Sequence, residues 1–537
     1  MSPPELRLRG LAASAGFAEG PLFVLHGPAR SARDRGLPQD EAAALQAALI
    51  AALAALRELV VASSSEAAEV LEFQIALIED PELSTPAFDA IAAGMAADEA
   101  WRAALEDEIA GFAAAEDAYF RARASDIRDI RDQVLDQLAG AAASVLVPAA
   151  AVLVAEDLPP SRFLAIDWSQ GGALVLSAGS PTSHVAMLAR SRAVPMLVGL
   201  PVRPAELLGR THEAALVDAQ RGELILAPSS DSRAAFAQAR SGFAAEGVAA
   251  EAQRLRAART ADGTPVAVLL NVADPQELDT LDPALCDGIG LVRTEFLFER
   301  AGGLPDEETQ YRVYRRIVEW AAGRPVTIRT LDAGGDKPIA GLTPEGETNP
   351  FLGIRGLRLS FAQPEPFRVQ LRALLRATCH GPLKIMLPMV TLPAELERAR
   401  AMLEAEMAAL EAAGIACARP PLGIMIEVPA AALLAEQFAA DFFSIGSNDL
   451  TQYVAAAARD NAGVAELAET AFPAVLRLIE MLARTASARG IELSLCGEAG
   501  GNPQRIPALL AAGLRRLSMS PAAVARAKLA ISQTRLS

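Results

Sequence analysis

Of the four histidines in the chain, His184 has surroundings that suit covalent phosphoryl transfer. It follows an apolar run, Ala173–Leu176, and a turn rich in glycine, serine and proline, and it opens a stretch of small residues with helical character. Backbone N–H groups and the positive end of a helix favour an anion at such a position. Taken alone, the segment is equally consistent with a helix cap or an ordinary surface histidine.

A second group of chemically capable residues lies beyond residue 259. Apolar runs recur there, and most end in a polar or charged residue or in a thiol; the set is Asn271, Arg293, Arg329, Arg355, Glu427, Asn448, Asp449 and Cys496. Unpaired buried charge is costly. A local salt bridge would explain a single charged residue after an apolar run, but it is a poor explanation for this many. Arginine suits phosphate and carboxylate, which match its planar guanidinium. Lys337 lies on a glycine-rich loop and is able to reach the same anion.

The remaining members of this group indicate a metal and a proton donor. Glu427 and Asp449 are hard oxygen ligands, and two carboxylates completed by substrate oxygens and water suit Mg²⁺. Cys496 is able to donate a proton, although a small buried apolar role is the commoner fate of cysteine. Together these residue types indicate a substrate that carries phosphate and carboxylate, and phosphoenolpyruvate fits. His184 would then be the phosphoryl acceptor.

The apolar runs that carry these residues also predict the fold of the second half. They alternate with helical stretches and lie at 266–270, 288–292, 326–328, 385–387, 423–426, 442–445 and 492–495, with a weaker run at 352–354. Continuous apolar runs separated by helices predict parallel strands. Eight of them predict a (β/α)₈ TIM-type barrel over 259–537, with its active site at the carboxyl ends of the strands.

The first half of the chain has a different pattern. Short β-like runs occur at 21–25, 145–147, 151–154, 173–176, 196–198 and 223–226 and predict an α/β domain formed by residues 1–30 and 145–229. Residues 31–144 are rich in Ala, Leu and Glu at helical spacing, which predicts an inserted helical domain of about four helices. Residues 230–258 predict a linker helix. The fold class is therefore multidomain α/β.

Composition excludes several classes of protein. The net charge of −17 opposes nucleic-acid binding, which needs clustered Lys and Arg. The four cysteines show neither zinc nor disulfide spacing. The N-terminal residues lack the basic and apolar parts of a signal peptide, and the longest uncharged stretch, 139–155, is too short to span a bilayer comfortably. We therefore expect a cytoplasmic protein without membrane insertion.

Several motifs resemble enzyme I of the bacterial phosphotransferase system, the phosphoenolpyruvate–protein phosphotransferases. They extend over nearly the whole chain and lie at 73–83, 124–130, 182–184, 288–298, 329–338, 349–355, 423–429, 441–453 and 495–498. This resemblance implies that His184 is the phosphorylated residue, that Thr182 orients it, and that Cys496 protonates the enolpyruvate carbon. Glu427 and Asp449 would hold Mg²⁺. The residues implied to bind phosphoenolpyruvate, with Lys337 added from its own loop, are Arg293, Arg329, Arg355, Asn448, Asp449 and Arg459.

The resemblance further implies a route for the phosphoryl group. It would pass from phosphoenolpyruvate to His184, with release of pyruvate, and then to a histidine of HPr, the small phosphocarrier, as the first step of sugar uptake. The helical domain would dock HPr, and the barrel would form a homodimer. Because His184 and the barrel belong to different predicted domains, we expect a swivel with its hinge in 230–260. The chain departs from the family pattern at Gln74, Pro181, Val185 and Ala458.

Three alternatives stay open at this point. A regulatory paralogue would phosphorylate a different HPr-like protein. A phosphoenolpyruvate synthase or pyruvate phosphate dikinase shares the swivelling histidine and the barrel, but needs an ATP-binding domain, and residues 1–150 show no glycine-rich phosphate loop. A catalytically silent scaffold would have no reason to keep both carboxylates, the arginines and Cys496 together.

Overall fold

In the computed structural model, the chain forms two compact units, Met1–Ala244 and Ala245–Ser537. The structure describes residues 4–25, 36–61, 65–113, 118–140, 147–181, 183–300, 304–335, 337–344, 346–458, 464, 467 and 472–536. The predicted strand at 145–147 therefore lies largely outside the described residues, and so do Thr182 and Arg459.

The first unit contains a mixed sheet of eight strands. In chain order they are β1 Leu6–Arg9, β2 Leu11–Ser14, β3 Phe17–Val24, β4 Val152–Ala155, β5 Ala173–Leu176, β6 Met196–Val198, β7 Ala214–Asp218 and β8 Glu223–Leu226. The order across the sheet is β1-β8-β7-β3-β4-β5-β6-β2. Strands β3 to β6 run parallel, and the outer strands pair antiparallel. Strands β4, β5 and β6 are fully buried, as covered parallel strands require.

Five described helices are inserted between β3 and its parallel neighbour β4. They are α1 Pro38–Val61, α2 Ser65–Glu79, α3 Pro81–Ala92, α4 Ala97–Ala113 and α5 Ala118–Leu138. This is one helix more than predicted, because Pro81 begins a helix as well as ending one. Asp80 caps α3 by accepting a hydrogen bond from the Glu82 N–H at 2.9 Å, and proline is well tolerated in a first helical turn.

Helix α1 is the one described helix that is long and apolar enough to cross a membrane, judged by length and composition alone. In the structure its buried side chains include Leu45, Leu49 and Leu56. They share an apolar core with Trp101 of α4 and with buried residues of the sheet. Burial of this face, at roughly 25 cal/mol per Å², is what attaches the inserted bundle to the sheet.

Three further helices complete the described part of the first unit and lead into the second. They are α6 Pro160–Ala165, α7 His184–Ser191 and α8 Ser230–Gln253, and a 3₁₀ helix spans Pro204–Arg210. Helix α8 contains the division between the two compact units. It corresponds to the predicted linker helix.

The second unit is a closed barrel of eight parallel strands, as predicted. The strands are β9 Ala267–Val272, β10 Ile289–Val292, β11 Val326–Arg329, β12 Leu383–Leu387, β13 Leu422–Ile426, β14 Phe442–Ile445, β15 Glu492–Leu495 and β16 Arg516–Met519. Pairing of β16 with β9 closes the barrel. All strand carboxyl ends therefore meet at one face, where barrel active sites lie.

Helices surround this barrel between successive strands. They are α9 Glu295–Arg300, α10 Glu307–Trp320, α11 Leu357–Ala362, α12 Pro364–Ala377, α13 Pro393–Ala412, α14 Pro429–Leu433, α15 Ser447–Ala455, α16 Phe472–Arg489, α17 Ile506–Ala511 and α18 Val524–Gln533. Short 3₁₀ helices occupy Pro275–Thr280, Pro283–Leu285, Pro350–Leu352, Thr378–His380, Ala435–Gln437, Glu498–Gly501 and Pro521–Ala523.

One predicted barrel strand was wrong. The weak run at 352–354 lies in the long loop after β11, where Pro350–Leu352 form a 3₁₀ helix and Leu352 is 67% exposed. The eighth strand is β16, whose sequence Arg-Leu-Ser-Met has no continuous apolar run. Its Ser518 packs where Gly290 leaves room, since a Cβ on Gly290 would lie 2.5 Å from the Ser518 Oγ. Because the buried Ser518 is polar, it interrupts the apolar residues of β16, and the sequence pattern did not predict this strand.

Candidate active site

His184 begins α7 at the end of the loop that follows β5. Ser183 caps the helix, and its Oγ accepts a hydrogen bond from the Ala186 N–H at 3.3 Å. Arg190, near the end of the same helix, donates from Nη1 to the carbonyls of Pro181 and Ala13, each at 2.8 Å. These contacts hold the loop against β2. His184 thereby presents a side chain that is 35% exposed.

An acidic residue that sequence reasoning left without a role faces this histidine. The Asp126 Oδ1 lies 3.8 Å from the His184 Nδ1, and the Asp126 side chain is 1% exposed. Asp126 belongs to α5 of the inserted helices, 58 residues before His184 along the chain. Its only signal in the sequence was its place in the motif at 124–130. The predicted orienting role of Thr182 stays a prediction, because that residue lies outside the described part.

In the barrel, Arg355 and Asp332 form the centre of a buried ion-pair network. The Arg355 Nε and Nη2 donate to the two carboxylate oxygens of Asp332, each at 3.0 Å, and Nη1 donates to the Asp449 Oδ1 at 3.1 Å. Both side chains of the central pair are fully buried. The sequence predicted that Arg355 follows a strand, but in the structure it does not. The loop after β11 brings it to the strand ends, and Gly334 permits this close approach, since a Cβ there would lie 2.8 Å from the Ile354 carbonyl.

Arg329, the last residue of β11, extends the same network. Its Nη1 lies 3.0 Å from the Asp332 Oδ2, and its Nη2 donates to the Glu295 Oε1 at 2.9 Å. Lys337 Nζ also reaches Asp332, at 3.5 Å. Burial alone would raise the pKa of Asp332, but Arg329, Lys337 and Arg355 hold it well below its usual range. The network therefore stays ionised and keeps its guanidinium groups in place.

Two acidic members of this network, Asp332 and Glu295, were missed as site residues. Both were present in the motifs at 329–338 and 288–298, but no predicted role drew attention to them. Each lies in a loop or helix that follows a strand, not at the strand end itself. Their carboxylates fix the orientation of arginines that would otherwise be free to rotate, which is the first requirement of a preorganised anion site.

Glu427 has the properties of a metal ligand. Its side chain is fully buried, one oxygen accepts the Met389 N–H at 2.6 Å, and Oε2 has no hydrogen-bond partner among the described residues. Burial and the negative charges of Asp449 and Asp332 raise its pKa to about 8. Gly446 keeps the space beside it open, since a Cβ there would lie 3.0 Å from Glu427 Oε2. A divalent cation would satisfy the orphaned oxygen and relieve the repulsion.

The described residues contain no group of three or more His, Cys, Asp and Glu side chains suited to a metal. Two carboxylates, those of Glu427 and Asp449, suit a divalent cation that takes its other ligands from substrate and water.

Cys496 follows β15 and points into the barrel. Its side chain packs with Leu291, Met386, Met425 and Phe442. Its Sγ lies 3.5 Å from the Ile445 carbonyl, and burial raises the thiol pKa to about 11. The thiol therefore carries its proton at neutral pH, as a donor must.

The other predicted residues that the structure describes, Asn271, Asn448 and Arg293, follow strands at the same face of the barrel. Asn271 donates to the Cys496 carbonyl at 2.9 Å. Asn448, in the first turn of α15, exchanges hydrogen bonds with Glu498 at 3.0 and 3.3 Å. Arg293 follows β10 with an exposed side chain. Arg459 lies outside the described residues, so its role stays a prediction.

Gln74, where the chain departs from the family pattern, lies in the interior of the first unit. Gln74 is fully buried, and its Nε2 donates to the Asp129 Oδ2 at 2.9 Å. Asp129 also accepts from the Ser161 Oγ at 2.6 Å, which ties α5 to α6. Gln74 thus has no surface to offer a protein partner in this structure.

Comparison with known proteins places the chain in a family. Three family models match in succession: "PEP-utilising enzyme, N-terminal" over residues 9–123, "PEP-utilising enzyme, mobile domain" over 147–222, and "PEP-utilising enzyme, PEP-binding domain" over 248–536. A phosphoenolpyruvate-protein phosphotransferase of Geobacillus stearothermophilus is 38% identical over 544 residues, which cover 98% of this chain and 93% of the relative.

Proteins of the same name from other bacteria are similar over the same extent. That of Listeria innocua is 36% identical, with 97% of this chain and 93% of the relative covered. That of Lactococcus lactis subsp. lactis is also 36% identical, with 96% and 92% covered. The resemblance seen in the motifs is confirmed, and the chain belongs to the phosphoenolpyruvate-protein phosphotransferase family.

Proposed function

We propose that this chain transfers the phosphoryl group of phosphoenolpyruvate to its own His184 and then to a histidine of a small phosphocarrier protein, releasing pyruvate. This reaction is the first step of sugar uptake by a phosphotransferase system. The observation that carries the proposal is that the chain holds both a partly exposed histidine at a helix start, in the first unit, and a buried network of arginines and carboxylates at the carboxyl ends of the barrel strands, in the second unit.

The arginine network would bind the two anionic ends of phosphoenolpyruvate. Arg329 and Arg355 are buried, and Arg293 and Lys337 are more exposed. Arg459 would join them, as the resemblance implies. Their carboxylate partners hold them in fixed orientations before substrate arrives, so little reorganisation is needed when charge spreads over the transferring phosphoryl. Asn448 would assist from the start of α15.

Members of the family use a divalent metal, and we propose that here it is Mg²⁺ held by Glu427 and Asp449. When bound, the ion would neutralise charge on the phosphoryl oxygens. The support from this chain is the orphaned Oε2 of Glu427 and the raised pKa of its carboxyl group. Because a cation favours the ionised carboxylate, Glu427 would lose its proton as the metal binds.

Cys496 would supply the proton that converts the enolate to pyruvate. As the P–O bond breaks, the electron pair of that bond passes to the enolate, whose terminal carbon takes a proton from the thiol. The buried position and high pKa of Cys496 support a donor that is protonated before the reaction begins. The apolar side chains around it exclude water, which would otherwise compete as the proton source.

The onward acceptor would be an HPr-type protein docked on the inserted helices, residues 31–144. We further propose Thr182 as an orienting residue, a swivel of the discontinuous α/β domain about a hinge in 230–260, a homodimer formed through the barrel at 259–537, and a cytoplasmic location. These assignments rest on the resemblance to enzyme I. The family model named for a mobile domain, over residues 147–222, supports the swivel.

The direct test is to incubate the full chain with phosphoryl-labelled phosphoenolpyruvate and Mg²⁺, without ATP, and to map any acid-labile label. We expect label on His184, none in His184→Gln, and transfer to an added HPr-type protein. A matched control is His212→Asn, an exposed histidine whose left-handed backbone, φ 71°, an asparagine tolerates. Absence of label in the wild-type chain, or label retained by His184→Gln, would overturn the proposal.

A further inference from the structure

Two of the chain's four cysteines lie on the segments that enter neighbouring strands of the barrel. Cys379 belongs to the 3₁₀ helix Thr378–His380, just before β12, and Cys417 lies in the loop that leads into β13. Strands β12 and β13 run parallel, with Ile385 opposite Leu422. Cys379 precedes Ile385 by six residues, and Cys417 precedes Leu422 by five. Both thiols therefore lie at the same end of the same strand pair.

A hydrogen bond joins the two segments next to the cysteines. The Thr378 Oγ1 accepts the Ala418 N–H at 2.9 Å, and these residues are the immediate chain neighbours of Cys379 and Cys417. The Thr378 hydroxyl in turn donates to the Leu375 carbonyl at 2.6 Å, which fixes it at the end of α12. Neighbouring strands lie about 4.8 Å apart, and a disulfide joins Cα atoms about 5–6 Å apart. The two backbones thus enter the barrel at a spacing that a disulfide spans.

The two thiols differ in exposure. Cys379 is exposed, whereas Cys417 is half-buried and packs against the core of the barrel. Burial raises the pKa of Cys417, and the negative charges of Glu411 and of an ionised Cys379 add to this effect. One thiol influences the pKa of another only when the two are near each other. The thiol that an oxidant reaches first is therefore Cys379, with Cys417 beside it.

We propose that Cys379 and Cys417 form a redox-sensitive modification site, which hydrogen peroxide converts reversibly into a disulfide within one chain. The Cys379 sulfur attacks one peroxide oxygen, the O–O bond breaks, and the departing hydroxide takes the thiol proton, which gives a sulfenic acid and water. The Cys417 sulfur then attacks the sulfenic sulfur, the S–O bond breaks, and a second water leaves with the Cys417 proton. The two thiols lose two electrons in all, and one peroxide is reduced to two waters.

The surroundings of Cys417 suit the second of these steps. Its half-buried position and raised pKa make it slow to react with peroxide directly. Residues 415–421 form neither helix nor strand and are mostly exposed, so Cys417 is able to turn toward its partner without disturbing a regular element. Both cysteines lie at the amino ends of the strands, opposite to the face that carries Arg329 and Glu427. The reaction needs no phosphoenolpyruvate.

The test treats the full folded chain with hydrogen peroxide, unfolds it, blocks the remaining thiols with iodoacetamide, and maps its peptides without reduction. We expect a mass loss of two hydrogen atoms per chain before blocking and a linked peptide that joins Cys379 to Cys417. Dithiothreitol should restore both thiols. Cys286 and Cys496 are buried, and they should remain thiols after the same treatment.

A variant without the second thiol separates the two steps. In Cys417→Ala the sulfenic acid of Cys379 has no partner, so dimedone, which traps sulfenic acids, should label Cys379 at least about tenfold more than in the wild-type chain. Cys286→Ala is the matched control, since it removes a buried thiol that has no part in the reaction. It should form the disulfide to the same extent as the wild-type chain.

The disulfide should also raise the temperature at which the barrel unfolds, by at least about 3 °C in calorimetry, because the cross-link restricts the unfolded chain. Reduction should reverse the rise. A disulfide between two chains, a wild-type Cys379 that is oxidised while Cys417 stays a thiol, equal dimedone labelling with and without Cys417, or an unchanged unfolding temperature of the linked chain would each overturn the proposal. The wild-type peptide map decides the matter even if a variant does not fold.

Discussion

In the barrel, Arg355 and Asp332 are fully buried and bind each other through two hydrogen bonds, whereas His184 keeps 35% of its side chain exposed and has one described acidic neighbour within 4 Å. The barrel site gathers charges that constrain one another from several loops. The histidine site is a single helix start held by a cap, one arginine and one buried carboxylate.

This difference follows from what each region has to do. Buried ion pairs add little net stability, because desolvation offsets their attraction, but they fix orientation. That suits a site that stabilises charge in a transition state. A group that receives and passes on a phosphoryl must instead stay accessible to two different partners. The barrel site therefore has the properties of a preorganised centre and His184 those of a carrier, and variants of either region test this difference.

Loss of the carrier should have the largest effect. His184→Gln is expected to abolish phosphorylation of the chain, while phosphoenolpyruvate binding to the barrel, measured by calorimetry, stays within about twofold of wild type because the arginines are untouched. His212→Asn should be indistinguishable from wild type in both measurements. Loss of substrate binding in His184→Gln would show that the two regions are not energetically separate.

Breaking the buried network should be nearly as damaging and should also reduce stability. Arg355→Lys removes the fork and leaves Asp332 without its bidentate partner, which we expect to cost about 3–5 kcal/mol of unfolding free energy. Arg315→Lys is the control, since Arg315 and its ion-pair partner Glu319 are both about half exposed, at 49% and 48%; it should cost about 1 kcal/mol or less. Equal losses in urea denaturation would contradict the contrast between buried and exposed pairs.

Cys496, the proposed proton donor, should have a thiol that resists ionisation. Because burial raises the pKa of Cys496 to about 11, the thiol keeps its proton as pH rises through the neutral range, and only about 0.1% is thiolate at pH 8. Iodoacetamide should therefore label exposed Cys379 far faster than Cys496. Cys496→Ala should slow pyruvate formation about 100-fold, and Cys379→Ala should not. Rapid labelling of Cys496 near neutral pH would argue against the donor role.

Removing the proposed metal ligand Asp449 should weaken the reaction in a way that added metal partly restores. Asp449→Asn is expected to raise the Mg²⁺ concentration needed for half-maximal phosphorylation at least about tenfold. Asp441→Asn, which alters an exposed carboxylate near the opposite ends of the strands, should leave that concentration unchanged. An Asp449→Asn variant with wild-type metal dependence would remove Asp449 from the ligand set.

The smallest effect on catalysis is expected at Gln74. Gln74→Leu leaves the buried Asp129 with one donor fewer, which we expect to cost about 1–3 kcal/mol of stability. Phosphorylation of His184 and transfer to an HPr-type protein should stay near wild type, because Gln74 is fully buried. Thermal unfolding and the transfer assay measure the two effects separately. A selective loss of transfer to the carrier would show that this position does govern the partner.

Sequence reasoning found the parts of the molecule that depend on local pattern. Apolar runs located seven of the eight barrel strands, and the polar residues after them located Arg329, Glu427 and Cys496. Strand β16 was missed because its serine is accommodated by a glycine on a neighbouring strand, a match between positions 228 residues apart. The position of Arg355 likewise depends on the course of a long loop.

The network around the arginines and the neighbour of His184 were beyond that reasoning. Asp332, Glu295 and Asp126 are ordinary acidic residues in their local sequence. What distinguishes them is which side chain each one meets after packing, and those contacts join separate elements. Residue type and spacing along the chain do not predict such contacts between separate elements.

The most direct test of the account is a single-turnover experiment on the full chain with excess phosphoenolpyruvate, Mg²⁺ and no acceptor protein. Pyruvate release and phosphorylation of His184 are followed together. The account predicts one burst, equal in amount for the two products, with no further pyruvate until an HPr-type acceptor is added, and no burst in His184→Gln. Continued pyruvate release without an acceptor, or a full burst in His184→Gln, would contradict it.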